Sequence, residues 1–167
     1  PEMRIVGGEM GGRKLAAPQS DRIRPTTDRT RESLFNILGH AHPEVFNETR
    51  VLDLFSGTGA LGIEALSRGA RFCLFVEEST EGRGLLRENI DALGLQGCTR
   101  IFRRDAANLG PTGAVEPFDL VFADPPYGKG LGERALMSAS ANSWLNTGAL
   151  AVLEERADAQ FHQPTGF

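Results

Sequence analysis

Three groups of residues in this 167-residue chain have types and spacings that suit chemistry. The first is Asp124-Pro125-Pro126-Tyr127, which follows the apolar run Leu120-Val121-Phe122-Ala123. Two prolines have no N–H and a fixed φ, so strand pairing stops there and the carbonyls are left to accept hydrogen bonds. A carboxylate, spare carbonyls and an aromatic ring together suit the holding of a flat base with an exocyclic amine. The two oxygens accept its N–H groups and the ring stacks on its face. The plainer reading of an isolated D-P-P-Y is a strand-end Asp capping a turn before a Pro-Pro breaker.

The second group is a glycine pattern, Asp53-Leu54-Phe55-Ser56-Gly57-Thr58-Gly59-Ala60-Leu61-Gly62, with Glu77 lying 20 residues beyond Gly57. Gly57, Gly59 and Gly62 match G-x-G-x-x-G between a strand and a helix, and an acid at that distance completes a dinucleotide fingerprint. A nicotinamide oxidoreductase is therefore one reading. Asp53 stands against it, because it places a carboxylate at the strand exit, where a diphosphate has to come close. A ligand with a cationic amino group, a ribose and no phosphate tolerates Asp53 and uses Glu77 for its ribose hydroxyls. Its own carboxylate would sit near the helix N-terminus. S-adenosylmethionine has that chemistry.

The third group is basic. Between Met3 and Arg31 stand seven cationic residues (Arg4, Arg13, Lys14, Arg22, Arg24, Arg29 and Arg31) against three acids, in a chain of net charge −4. A basic segment on an acidic body suits a polyanion, although scattered arginines on a solvated hairpin give the same count. Arg24, Arg29 and Arg31 gather at the start of a predicted helix, where the macrodipole disfavours positive charge, so contact with phosphates is the better reason for them.

These groups need elements to hold them. Residues 4–6 and 13–16 read as two short strands around a glycine-rich turn. Arg24-Pro25-Thr26-Thr27-Asp28 then leads into a helix capped by Thr27 or Asp28, with Leu34, Phe35, Ile37 and Leu38 as its apolar face. From there strand and helix alternate, with strands over 51–55, 72–76, 100–103, 120–123 and 150–153. Helices are predicted over 60–67, 81–93 and 133–143, the second weakened by Gly82 and Gly84. Such alternation implies an α/β fold, with a mostly parallel sheet and helices on both sides. Asp124 then falls at the carboxyl edge, where open α/β sheets bind their ligands.

The length fits one compact unit, which we divide into a basic hairpin and helix over residues 1–40 and a catalytic body over 41–167. With 40% hydrophobic and 24% charged residues the composition is that of an ordinary globular protein. No apolar run approaches the 18 or so residues of a membrane span and no signal-peptide pattern opens the chain, so a cytoplasmic location is expected. Cys73, Cys98 and the three histidines show no metal-ligand spacing; neither a disulfide nor a metal is expected.

Taken in order, Arg4-Ile5-Val6-Gly7-Gly8, Arg13-Lys14-Leu15, Arg24-Pro25-Thr26-Thr27-Asp28-Arg29-Thr30-Arg31-Glu32-Ser33-Leu34-Phe35-Asn36, Asp53 to Gly62 and Asp124 to Tyr127 resemble the RsmD family. These are bacterial guanine-N2 methyltransferases of small-subunit (16S) ribosomal RNA. The resemblance covers nearly the whole chain. It implies a class I methyltransferase (Rossmann-like) fold, S-adenosyl-L-methionine as methyl donor, and ribosomal RNA of the small subunit as partner; a monomer is expected. It further implies Asp53, Ser56, Gly57, Gly59 and Glu77 as cofactor residues, Asp105 and Ala106 against the adenine, and Asp124, Pro125, Pro126 and Tyr127 around the target guanine. Arg13, Lys14, Arg24, Arg29 and Arg31 are the candidate RNA contacts. The family's sheet ends in a further β-hairpin that the sequence to Phe167 does not reach, so a missing C-terminal hairpin is expected. D-P-P-Y also resembles the motif of adenine-N6 and cytosine-N4 methyltransferases of DNA, and a non-catalytic RNA-binding module on the same scaffold is a further reading.

Overall fold

The computed structural model describes residues 2–126, 129–154 and 167. Strands β1 (Met3–Arg4) and β2 (Lys14–Leu15) form an antiparallel hairpin. Helix α1 (Asp28–Ala41) follows, with the Thr27 side chain accepting a hydrogen bond from the Thr30 N–H as its cap. The body then runs β3 (Arg50–Leu54), α2 (Ala60–Ser67), β4 (Phe72–Val76), α3 (Thr80–Leu93) and β5 (Thr99–Phe102), followed by β6 (Phe118–Ala123), α4 (Leu131–Ala141) and β7 (Leu145–Leu153).

The sheet is parallel throughout the described residues, in the order β5-β4-β3-β6-β7. Chain order reverses between β3 and β6, and that switch point opens a crevice at the carboxyl edge. Apolar side chains alternate between the faces. Val51, Cys73, Phe75, Leu120 and Phe122 pack with Phe35, Ile63, Leu66, Leu86 and Ile90 under α1, α2 and α3. Leu52, Leu54, Leu74, Val76 and Val121 pack with Ala135, Leu136 and Trp144 on the α4 side. This is the class I methyltransferase arrangement. Among the described residues no helix is long and apolar enough to cross a membrane.

One strand departs clearly from expectation. β7 begins at Leu145 rather than at residue 150, because Leu145 pairs with Phe118 before a register break that contains Gly148, whose φ is +81°. The Asn-Thr-Gly run there looks like a turn and is instead an irregular stretch of strand. The expected N-terminal hairpin is present and packs against the body. Met3, Ile5 and Leu15 belong to the same core as Phe35 and Ile63, and the backbone N–H groups of Val6 and Gly7 both donate to the Glu64 carboxylate of α2, at 2.9 Å each. Residues 1–40 and the body thus share one core. A C-terminal hairpin and the side chain of Tyr127 lie outside the described residues.

Candidate active site

The ends of β3, β4 and β6 border one cleft of about 1540 Å³. Small-molecule pockets usually hold roughly 300–1,000 Å³, so there is room for a cofactor and a base together. Its lining includes Asp53, Ser56, Gly57, Glu77, Asp105, Ala106, Asp124, Pro125 and Pro126, which come from four separate loops. The topology thereby brings together the residues that sequence spacing placed at strand ends.

The turn after β3 is shaped by backbone conformation. Phe55, Gly57 and Gly59 have φ of 57°, 56° and 82°, in the left-handed region that glycine adopts without strain. Ser56 fastens the turn by donating its hydroxyl to the Asp53 carbonyl at 2.5 Å. Gly62, one turn into α2, permits close approach of helix and sheet. A Cβ there would stand 2.5 Å from Phe75 Cε1, 2.6 Å from Cys73 Sγ and 3.0 Å from Asp53 Oδ2.

That approach explains Asp53. Its side chain lies on the α2 face of the sheet, 1% exposed, and accepts the Gly62 N–H at 3.1 Å. Burial pushes its carboxyl well above the usual carboxylate range. The Gly62 hydrogen bond opposes that rise, while the nearby charges of Asp124 and Glu77 add to it. The expectation of a fixed negative charge at the strand exit is thus corrected: desolvation favours the neutral acid. The charge that repels a diphosphate comes instead from Glu77 and Asp124.

Glu77 fastens the first two loops. Its Oε1 accepts the Gly57 N–H at 2.7 Å, and Oε2 accepts the Ser79 N–H at 3.0 Å and the Ser79 hydroxyl at 2.7 Å. A carboxylate has about four acceptor positions, so these three bonds leave about one open toward the cleft. Gly82 makes room for this side chain, since a Cβ there would fall 2.7 Å from Glu77 Cγ. The glycine that weakens α3 on propensity therefore has a packing reason. Asp105 and Ala106, in the loop after the neighbouring strand β5, also line the cleft, with Asp105 Oδ1 accepting the Ala107 N–H at 2.9 Å and Ala106 buried.

Residues 17–27 cross the cleft as a strap between the hairpin and α1. Ser20 donates its hydroxyl to Glu81 Oε1 at 2.5 Å. Ile23 Cγ2 comes within 3.1 Å of where a Cβ on Gly57 would be, and Thr26 Oγ1 donates to Asp124 Oδ2 at 3.2 Å. Thr26 was not singled out from the sequence. The signal is the Thr26-Thr27 pair: Thr27 serves as the helix cap, which leaves the Thr26 hydroxyl for a partner elsewhere.

The basic residues divide. Arg24, on the cleft wall, and Arg29, in the first turn of α1, are exposed and make no hydrogen bond or ion pair among the described residues. Lys14 is exposed and pairs with Glu2 at 3.1 Å. Arg13 donates to the carbonyl of Ala92 at 2.9 Å, in the last turn of α3. Glu77 lies at the other end of that helix, about 20 Å away by helical rise. Arg31 is a correction. It is 0% exposed and pairs with the equally buried Glu64 at 3.2 Å and with Asp28, while donating to the carbonyls of Arg4 and Thr26 at 2.8 and 3.3 Å. It cannot reach a phosphate, because its donors are all turned inward.

The family described as Conserved hypothetical protein 95 matches residues 3–167. The Ribosomal RNA small subunit methyltransferase D of Escherichia coli strain K12 is 39% identical over 94% of this chain and 76% of its own length. The protein of the same name from Haemophilus influenzae is 34% identical over 98% of this chain and 83% of its own. The chain belongs to the ribosomal RNA small subunit methyltransferase D family. The solved structure of yhhF from Escherichia coli superposes with a TM-score of 0.81 at 35% identity, covering 99% of this chain and 87% of that one. The fold, hairpin included, is therefore shared along almost the entire length.

Proposed function

We propose that this protein transfers a methyl group from S-adenosylmethionine to the exocyclic N2 amine of a guanine in the 16S RNA of the small ribosomal subunit. The observation that carries the reading is Asp124, a carboxylate at the carboxyl end of β6 and on the wall of the cleft that Glu77 and the glycine turn also line. Family membership supports ribosomal RNA as the substrate. The electrostatics suit the donor. Two acids on the cleft wall, Glu77 and Asp124, oppose a diphosphate and favour a ligand with cationic centres. When bound, S-adenosylmethionine supplies an electrophilic methyl group on a positively charged sulfur.

The residues of this chain then have separate tasks. Glu77 takes a ribose hydroxyl at its remaining acceptor position, and the N-terminus of α2, whose cap Gly59 brings no side-chain hydrogen bond, faces a carboxylate. Ala106 and Asp105 offer an apolar surface and an acceptor to an adenine. The lone pair of guanine's N2 is delocalised into the ring, so the amine is a poor nucleophile. Asp124 and the Pro125 carbonyl accept its two N–H groups, which turns the lone pair out of conjugation and balances the positive charge that develops on nitrogen. After transfer the positive charge makes the N–H acidic, and its proton is lost to water. Tyr127, by its place in the motif, stacks on the base once it has left its helix, replacing about 1–3 kcal/mol of lost stacking. Arg24 and Arg29 meet phosphates beside the cleft, and Arg13 and Lys14 extend the basic surface along the hairpin.

The test is methyl transfer to small subunits isolated from cells that lack the enzyme, followed by nucleoside analysis. N2-methylguanosine is expected; N6-methyladenosine, N4-methylcytidine or no product overturns the reading. Asp124→Ala should lower turnover on the order of a hundredfold or more and leave S-adenosylmethionine affinity nearly unchanged. Calorimetry should detect S-adenosylmethionine and not NADH.

A further inference from the structure

We infer that Thr26 is a positioning residue for the methyl transfer: its hydroxyl orients the Asp124 carboxylate, and the buried Arg31–Glu64 pair holds Thr26 in place. The inference rests on the reading of Asp124 as the group that holds the amine. Asp124 leaves the sheet at the end of β6, and a carboxylate in such a place has two side-chain torsions to settle. The Thr26 hydroxyl reaches it from 98 residues away in sequence, at 3.2 Å, through one carboxylate oxygen. That bond fixes one oxygen of the carboxylate against the segment that precedes α1.

A donor can orient its partner only if it is itself fixed, and Thr26 is fixed on several sides. The residue before it, Pro25, has its own φ fixed by its ring, and Thr26 is β-branched, with a restricted χ1. Its carbonyl accepts from Arg31 Nε at 3.3 Å, and the carbonyl of Thr27 accepts the Arg31 N–H at 2.9 Å. Arg31 is anchored in turn by Glu64 and by the Arg4 carbonyl. Glu64 also receives Arg68 Nε at 3.0 Å and the backbone N–H groups of Val6 and Gly7. From Glu64 through Arg31 to Thr26, each link is a hydrogen bond between half-buried or buried groups, and the last of them touches Asp124. Helix capping does not need the Thr26 hydroxyl, because Thr27 performs it.

The test compares Thr26→Val, Thr26→Ala and Thr26→Ser with wild type and Asp124→Ala. It measures kcat and KM on small subunits, S-adenosylmethionine affinity by calorimetry, and thermal unfolding. Loss of the hydroxyl in Val or Ala should lower kcat on the order of tenfold, with KM, cofactor affinity and Tm essentially unchanged, and Ser should restore most of the rate. A kcat within about twofold of wild type in both Val and Ala, beside a dead Asp124→Ala, overturns the inference and leaves the role of Asp124 intact. Failure of Ser to recover the rate, or a loss that appears in KM, cofactor affinity or Tm instead, also overturns it. An active Asp124→Ala overturns the underlying reading, and this inference with it.

Discussion

Replacing Arg31 separates a buried latch from an RNA contact. In Arg31→Met the apolar stem is kept and the guanidinium removed. Asp28 is 39% exposed, so its lost pair is worth no more than about 1 kcal/mol. The carbonyls of Arg4 and Thr26 each lose a donor. Glu64, at 0% exposure, loses one cation and keeps Arg68 and two amide donors, so its charge stays compensated in part. Breaking a buried pair costs about 3–5 kcal/mol when one ion is stranded, and these remaining partners put the expected loss at the lower end, about 3 kcal/mol. In a domain of this size each kcal/mol moves Tm by about 2–4 °C, so a fall of roughly 6–12 °C is expected. Arg29→Ala and Arg24→Ala remove exposed side chains and should change stability by less than about 0.5 kcal/mol. Their signature is in RNA binding across a salt series, where each lost phosphate contact flattens the log–log slope by somewhat less than about one unit. Urea or thermal unfolding reads the first effect and subunit binding the second. An Arg31→Met protein with wild-type stability and a flattened salt slope would refute the argument, because the guanidinium would then have been spent on RNA.

Three further outcomes follow from the site. Gly62→Ala places a methyl group 2.5 Å from Phe75 Cε1 and 2.6 Å from Cys73 Sγ, and overpacking should cost about 1–3 kcal/mol in thermal unfolding. Glu77→Ala should weaken S-adenosylmethionine binding by about 1.5–3 kcal/mol in a calorimetric titration, since it removes ribose contacts and loosens Gly57 and Ser79 together; unchanged binding would remove Glu77 from the site. Asp53 carries a pH signature: its carboxyl is raised in the folded state, so the native chain binds more protons than the unfolded one above the unfolded pKa of about 3.9. Stability then falls as pH rises through that window, and Asp53→Asn, which keeps an acceptor for Gly62, should gain relative stability with rising pH. A difference between the two proteins that is constant in pH would contradict the buried, proton-binding role.

Legibility from sequence followed how local each cause is. α2 and β4 fall on the residues that apolar runs and the glycine pattern predict, because tight turns and buried strands are written in contiguous residue types. The acids at the ends of β3, β4 and β6 were legible for the same reason, since a strand end is a local event and the parallel topology does the rest. Arg31 was misread because its type argues for solvent while its position argues for the core. It precedes Phe35 by four residues and Leu38 by seven, on the buried stripe of α1. Helical spacing was the signal, and charge outweighed it. What no spacing contains is the partner: Glu64 lies 33 residues away on a different helix, and Asp124 lies 98 residues from Thr26. The stretch from Arg24 to Arg31 thus contains three different physical roles. Two exposed cations face outward, one hydroxyl faces the cleft, and one buried cation ties them to the core. Because Arg29 and Arg31 lie within one turn of the same helix, a phosphate held at Arg29 is held at a fixed distance from Thr26, and through it from Asp124. On the proposed reading, an RNA gripped there would present its target base to Asp124, which is the geometric condition for catalysis by orientation.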